Sequence, residues 1–297
     1  MDEASNSCRL AVGWKITFGK IRQGVTMQNT PSLTDARLEI DGRIATLMLN
    51  RDDVRNELTG TNLIDDITAT VEWINRDETV SVLVLSGEGS AFSAGGNIKQ
   101  MLARDGAFGG DVYEVQRKYR LGIQRIALAM NALEVPSIAA VNGAAIGAGF
   151  DLACMCDLRL AASGAKLGET FINVGIIPGD GGSWFLQRLV GYQRAAELTF
   201  SGRVFDADEA LRLGIVLEVI DRSLLMPRAM ELAATLAAKP PQVLRLTKRL
   251  MKMAQRAELA DVLELSAVYQ GMAHNTQDHL EALSATLEKR TPNFEGR

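Results

Sequence analysis

The stretch Ser137-Ile138-Ala139-Ala140-Val141-Asn142-Gly143-Ala144-Ala145-Ile146-Gly147-Ala148-Gly149-Phe150-Asp151 carries the signal that decides the fold. Ser137 to Val141 is a short apolar run of the length of a buried strand. Asn142 to Gly149 is then mostly glycine and alanine, and a helix is expected from about Phe150. Small residues at such a turn let another group approach the main chain, and a helix N-terminus presents free N–H groups to it. The same punctuation occurs upstream. Val80 to Leu85 is a run of valine and leucine broken only by Ser81, and Phe92-Ser93-Ala94-Gly95-Gly96-Asn97 opens a short helix over 97–103. Two such turns facing each other would make a two-donor cradle for a developing oxyanion. Taken singly, each is equally well explained by tight helix–strand packing with no ligand. A dinucleotide fingerprint is excluded because Leu152 stands where its third glycine belongs, and no Gly-Lys-Ser/Thr phosphate loop exists.

Outward from these turns the pattern stays α/β. Leu38 to Leu49 reads as a hairpin about Asp41-Gly42, and residues 62–75 as an amphipathic helix. A long helix is expected from about Asp111 to Leu133, with Val112, Val115, Tyr119, Ile123, Ile126, Met130 and Leu133 as one buried stripe. Leu158 to Ala161 reads as a strand and Gly182 to Val190 as a helix. Strand, glycine-rich turn and helix thus alternate, which argues for α/β layers. After Pro240-Pro241 the chain looks wholly helical to Lys289. The expected division is a disordered extension over 1–33, with Met27 an alternative start, a core over 34–238, and a helical oligomerisation subdomain over 239–297.

Composition narrows the function classes. With 47% hydrophobic and 23% charged residues the chain can bury a full core, and a net charge of −4 gives nucleic acid no basic surface. No apolar run reaches the ~18 residues of a membrane helix. Cys154 and Cys156 form a C-x-C without a second pair, so a zinc site is not expected and buried free thiols in a reducing cytosol are. The two histidines, His274 and His279, lie far from the glycine-rich turns, which counts against Ser-His-Asp or Cys-His chemistry there.

Four segments together resemble the crotonase (enoyl-CoA hydratase/isomerase) superfamily: Leu49-Asn50-Arg51 with Val54-Arg55-Asn56, Phe92 to Ile98, Asn142 to Ala153 with Cys156-Asp157, and Gly175-Ile-Ile-Pro-Gly-Asp-Gly-Gly182. They occur in family order and spacing, and the likeness runs from about residue 37 to 290. The resemblance implies a crotonase-like spiral of repeated β-β-α units with two nearly perpendicular sheets and a C-terminal helical part that builds trimers or hexamers. It implies an acyl-CoA thioester substrate, coenzyme A entering with that substrate, and no permanently bound cofactor or metal.

By the same resemblance, the backbone N–H groups of Gly96 and Ala148 hold the thioester oxygen, and Asp151 takes the place of the first catalytic carboxylate, usually glutamate. Ala94 offers backbone contacts to the adenine end of coenzyme A. Arg55 is a neighbour of the adenine or 3′-phosphate, or else a solvated surface arginine. In two-carboxylate hydratases a second glutamate lies four residues before the glycine that matches Gly175; here that position is Phe171. Glu169 is two residues out of register, and the role is not carried onto it. Family isomerases with an apolar residue there often keep an acid in the loop that begins at the match to Pro178, where Asp180 lies one residue beyond the commonest position. Asp180 is otherwise a turn stabiliser, and Asp151 a first-turn acid favoured by the helix dipole. Arg245, Lys248, Arg249 and Lys252 form a basic face that reaches a neighbouring subunit's coenzyme A, or is simply solvated.

Double-bond isomerisation of an enoyl-CoA is the preferred expectation, with hydration the runner-up. A non-catalytic acyl-CoA-binding subunit is the alternative of another class. The expected location is the cytoplasm.

Overall fold

The computed structural model describes residues 30–297. The expected extension falls almost wholly outside the described residues, and Leu33 already packs against the core. β1 (Ala36–Asp41) and β2 (Ile44–Leu49) pair antiparallel from Ala36 opposite Leu49 to Asp41 opposite Ile44. The connecting residues are Gly42-Arg43, one step beyond the Asp-Gly reading, because Gly42 takes the left-handed conformation (φ 55°) that opens a two-residue hairpin.

The rest is a spiral. β3 (Val82–Gly87), β5 (Ser137–Val141) and β7 (Leu158–Ala162) lie side by side and parallel in a six-stranded sheet of order β1-β2-β3-β5-β7-β10. Each is followed at once by a short strand of a second sheet: β4 (Ala91–Ser93), β6 (Ala144–Ile146) and β8 (Lys166–Gly168), again parallel neighbours. β9 (Phe205–Asp206) joins the small sheet antiparallel to β8, and β10 (Glu218–Ile220) joins the large one parallel to β7. A helical segment follows each short strand, so every turn of the spiral contributes to both sheets and then closes over them.

Continuous apolar runs are what a sheet covered on both faces requires. Along β3, Leu83 and Leu85 face one core cluster with Ile67, Val71 and Ile126, while Val82 and Val84 face a second. That second cluster is closed by Leu225, Ala229 and Ala233, one stripe of the helix Leu225–Ala237.

The long helix expected over 111–133 is two helices, Val112–Leu121 and Gln124–Ala132, broken at Gly122 (φ −111°, ψ −113°). Only the second half of its stripe is core: Ile123, Ile126, Met130 and Leu133 are buried, whereas Val112 is 89% exposed. Three-to-four spacing reports a helix but not what lies opposite it. Glycine at 122 lets the polar first half swing away from the core.

The basic face of the helix Pro241–Ala254 is also placed differently from either expectation. Arg245 donates to the carbonyls of Ile74, Asp77 and Val80, and Lys252 to those of Met130 and Asn131. Lys248 is buried against Asp157 at 2.6 Å and the Val135 carbonyl at 2.6 Å. Arg245 and Lys252 cap helix ends of their own chain, where the dipole is negative, and with Lys248 they fasten the C-terminal helices to the core. Arg249 alone of the four stays half exposed, paired with Glu134. Lys248→Ala removes the cation from Asp157 and leaves a buried carbonyl without its donor, so it is expected to cost about 2–3 kcal/mol, read as a lowered urea midpoint at unchanged m-value.

Candidate active site

The two glycine-rich turns meet main chain to main chain. A Cβ on Gly149 would stand 2.2 Å from the Ser93 carbonyl oxygen, and one on Gly95 would stand 2.4 Å from the Ile146 oxygen and 3.0 Å from the Ala148 nitrogen. Only glycine at both positions permits this approach. Gly147 adds a conformation (φ 53°, ψ −121°) that L side chains rarely adopt, and the helix Ala148–Met155 begins directly after it. The N–H groups of Gly96 and Ala148 have no hydrogen-bond partner among the described residues, and both residues line one cavity. Two free donors at one cavity wall are what a developing oxyanion needs.

The first turn is held from behind by Asn56, which sequence reading passed over. Its buried amide accepts from the Arg51 N–H at 2.8 Å and donates to the carbonyls of Glu88 at 3.0 Å and Ala91 at 2.9 Å. Arg55 and Asn56 both take left-handed backbone conformations. This turns the Arg55 carbonyl to the Ala94 N–H (2.9 Å) and the Asn56 carbonyl to the Ser93 hydroxyl (2.7 Å). The Arg55 side chain is exposed and does not line the cavity, whereas Ala94 does.

The cavity has a volume of about 130 Å³ and is largely apolar. Phe171, Ile146, Ile176, Met101 and Phe108 form much of its wall, and Tyr119, Lys118 and Asp180 supply polar atoms. The Phe171 ring lies against Gly147, within 3.7 Å of where a Cβ would stand. Aromatic carbon thus occupies the flank of the oxyanion turn.

Three acids converge here. Asp151, in the first turn of the helix Ala148–Met155, is fully buried and accepts from the Gly182 N–H at 2.9 Å. Glu169, just past β8, is equally buried, and neither of its oxygens has a donor. Gly182 separates the two: a Cβ there would stand 2.2 Å from Asp151 Oδ1 and 2.2 Å from Glu169 Oε1. Asp180, on the loop before the helix Gly182–Val190, is the one of the three that lines the cavity. The sequence-level assignment is therefore redistributed: Asp180 faces the cavity, Asp151 stands behind it, and Glu169 joins them. Tyr119, expected only as core, is a cavity residue facing the Asp180 loop, whose Gly179 carbonyl also accepts from Gln124 at 2.9 Å.

Among the described residues no cation pairs with these three carboxyls, so burial and mutual repulsion set their protonation. Burial, reinforced by Glu169, pushes the Asp151 carboxyl well above its ordinary range. Burial raises Glu169 to about 7, and burial with the nearby Asp151 raises Asp180 to about 7. Tyr119 is raised by burial and by Asp180. No group of three or more metal-binding side chains occurs among the described residues, and no helix among them is long and apolar enough to cross a membrane.

Two outcomes follow from this geometry. Gly149→Ala forces the turns apart and is expected to lower turnover by roughly 10²-fold or more, measured as kcat on an acyl-CoA ester with the melting temperature as a folding control. The second concerns pH. Unfolded, Glu169 and Asp180 ionise near 4.5 and 3.8; folded, they keep their protons to about 7. For these two groups the folded state binds more protons across that window, so their stabilising contribution falls as pH rises through it and is lost above about 7. Thermal melts from pH 5 to 8 should show this decline, and Asp180→Asn should flatten it.

Comparison with known proteins agrees with this construction. The sequence model of the family described as enoyl-CoA hydratase/isomerase matches residues 39–297. A crotonyl-CoA hydratase of Syntrophomonas wolfei is 36% identical over 265 residues, covering 86% of this chain and 96% of the relative. A 1,2-epoxyphenylacetyl-CoA isomerase of Escherichia coli is 33% identical over 259 residues, covering 87% and 97%. The crystal structure of an enoyl-CoA hydratase from Bacillus anthracis superposes with a TM-score of 0.82 at 33% identity, over 89% of this chain and 100% of that one. With the crotonase spiral, the facing glycine turns and a match of this extent, the chain belongs to the enoyl-CoA hydratase/isomerase family.

Proposed function

We propose that this enzyme isomerises the double bond of an enoyl-CoA thioester in preference to hydrating one. The observation that carries this reading is the asymmetry of the cavity wall: Asp180 is the carboxyl that lines it, and Phe171 packs against the oxyanion turn. Hydration needs water activated at one carbon and a proton handled at the next, which two cavity-facing carboxyls serve well. Isomerisation needs one group that takes a proton and gives it back.

In this reading the thioester oxygen sits between the Gly96 and Ala148 N–H groups. The Asp180 carboxylate removes a proton from C2 of a 3-enoyl-CoA. The C–H electrons form the C1=C2 double bond of a dienolate as the carbonyl π pair moves onto the held oxygen, where the charge rests. Asp180 then returns the proton to C4 as the double bond settles between C2 and C3. A carboxyl raised to about 7 is suited to both halves at neutral pH. Phe171 excludes water from the intermediate. Asp151 supports the reaction from behind, through the Gly182 N–H. Ala94, which lines the cavity, and Arg55, whose carbonyl accepts from the Ala94 N–H, serve the coenzyme A moiety, which enters with the substrate.

The hydratase reading draws on relatives named hydratases and on Glu169 as a second buried carboxyl. Incubation with 2-enoyl- and 3-enoyl-CoA esters separates the two, because hydration adds the mass of water and isomerisation does not. Isomerisation of the 3-enoyl ester is expected to dominate, and efficient hydration of a short 2-enoyl ester would sink the proposal. Asp180→Asn is expected to lower turnover by at least ~10²-fold with ester affinity nearly intact, and Asp151→Asn to cost less. Ala148→Pro, which deletes one oxyanion donor, is expected to remove turnover.

A homotrimeric or hexameric assembly is also proposed. Its support is the apolar surface of the C-terminal helices, where Leu259, Leu263, Leu280 and Leu287 are all more than half exposed. A monomer in light scattering at micromolar concentration would count against it.

A further inference from the structure

We infer that Glu169 is a positioning residue: it shares one proton with Asp151, and the paired carboxyls fix the Gly179–Gly182 loop that carries Asp180. The inference rests on Asp180 as the cavity-facing acid.

The geometry leaves little alternative for these atoms. Asp151 Oδ1 and both Glu169 oxygens are buried with no donor in reach, and Asp151 Oδ1 and Glu169 Oε1 crowd one point, each 2.2 Å from where a Cβ on Gly182 would stand. Two carboxylates can only repel, and a buried acceptor without a donor is costly. One proton between them turns the repulsion into a hydrogen bond, as in other paired carboxyls. The other Asp151 oxygen, Oδ2, is then free to hold the Gly182 N–H at 2.9 Å. That bond anchors the end of a loop in which Gly179, Gly181 and Gly182 offer little stiffness of their own, and Gly181 sits at φ 119°. Asp180 lies inside this anchored loop. Any Cβ on Gly182 would strike both carboxyl groups, so glycine there is a condition of the pairing.

The charged and titratable neighbours of the pair are Asp180 on the loop, Tyr119 on the helix Val112–Leu121 beyond it, and Cys154 one turn along from Asp151, with Arg159 behind that thiol. No cation acts on either carboxyl directly. When the pair loses its proton at alkaline pH, its members repel, the Gly182 anchor shifts and Asp180 leaves its place. Turnover should therefore show an acid limb from Asp180, which must be ionised to accept a proton, and a separate alkaline limb from the pair.

Glu169→Gln tests this without changing the cluster's charge in the working state. The amide donates permanently to Asp151, and Asp151 then carries the single negative charge that the protonated pair carried. The variant is expected to keep the acid limb and to lose the alkaline one. Glu169→Ala leaves Asp151 Oδ1 with no donor. Its kcat is expected to fall at least tenfold with KM little changed, a loss that Gln at the same position largely rescues. Wild-type kcat and pH profile in Glu169→Ala would overturn the inference. So would an unchanged alkaline limb in Glu169→Gln, which stands as a test even if the alanine variant fails to fold. The assays use whichever acyl-CoA ester the wild-type enzyme turns over best. Failure of the isomerase reading would appear in the wild-type products, and failure of this inference only in the Glu169 variants.

Discussion

Two main-chain turns touching without Cβ atoms between them is the constraint on which the site depends. The Ser93 carbonyl fills the space a side chain would take at Gly149, and the Ile146 carbonyl does so at Gly95. Contact this close fixes the distance between β4 and β6 and aims the free N–H groups of Gly96 and Ala148 at one cavity. The spiral makes it possible. β3, β5 and β7 of the large sheet each pass directly into a strand of the small one, so consecutive turns of the chain deliver equivalent corners to adjacent places. The donors are main-chain atoms with no rotamer freedom, and such preorganisation is what gives an oxyanion site its effect.

Once the turns are fixed, helix Ala148–Met155 points its first turn into the protein, and Asp151 goes with it. A carboxylate at a helix N-terminus is ordinarily stabilised by the dipole. Here complete burial and a second acid outweigh that help, and the carboxyl is raised rather than lowered. Asp180 and Glu169 follow the same physics, each driven first by burial. Such a cluster lowers stability at neutral pH, a cost proteins often carry where acid–base chemistry is done.

The architecture was legible in the sequence because its two signals are local. Covered parallel strands must be apolar along their length, as Val82 to Leu85 and Ile138 to Val141 are, and close main-chain approach must be glycine, as at 95 and 149. What escaped reading depended on partners distant in the chain. Nothing around Asn56 announces that its amide will join Arg51, Glu88 and Ala91. Arg245, Lys248 and Lys252 form a basic stripe that looks solvated until the carbonyls of Val80, Val135 and Asn131, distant in the chain, are placed beneath it. The helix at 112–121 has the spacing of a buried element and no buried residue.

Glu169 shows why a register argument stops short of geometry. Counting residues from Gly175 puts Phe171 at the usual carboxylate position and leaves Glu169 two places away, seemingly outside the chemistry. Yet the chain bends between them: Thr170 leaves the extended conformation (φ −92°, ψ 6°), and Phe171 opens the short 3-10 helix Phe171–Val174. The side chains on either side of that bend take different directions. Phe171 turns to the cavity beside Gly147, while Glu169, just past the end of β8, turns inward to Asp151. An acid displaced by two residues has gone to the rear of the site, where it can govern a proton without meeting the substrate. Relatives named hydratase and isomerase match this chain at 36% and 33% identity, so overall similarity does not distinguish the two reactions. In the proposed reading, what distinguishes them is which carboxyls reach the cavity, and in this chain the bend at Thr170 and the glycine at 182 set that arrangement.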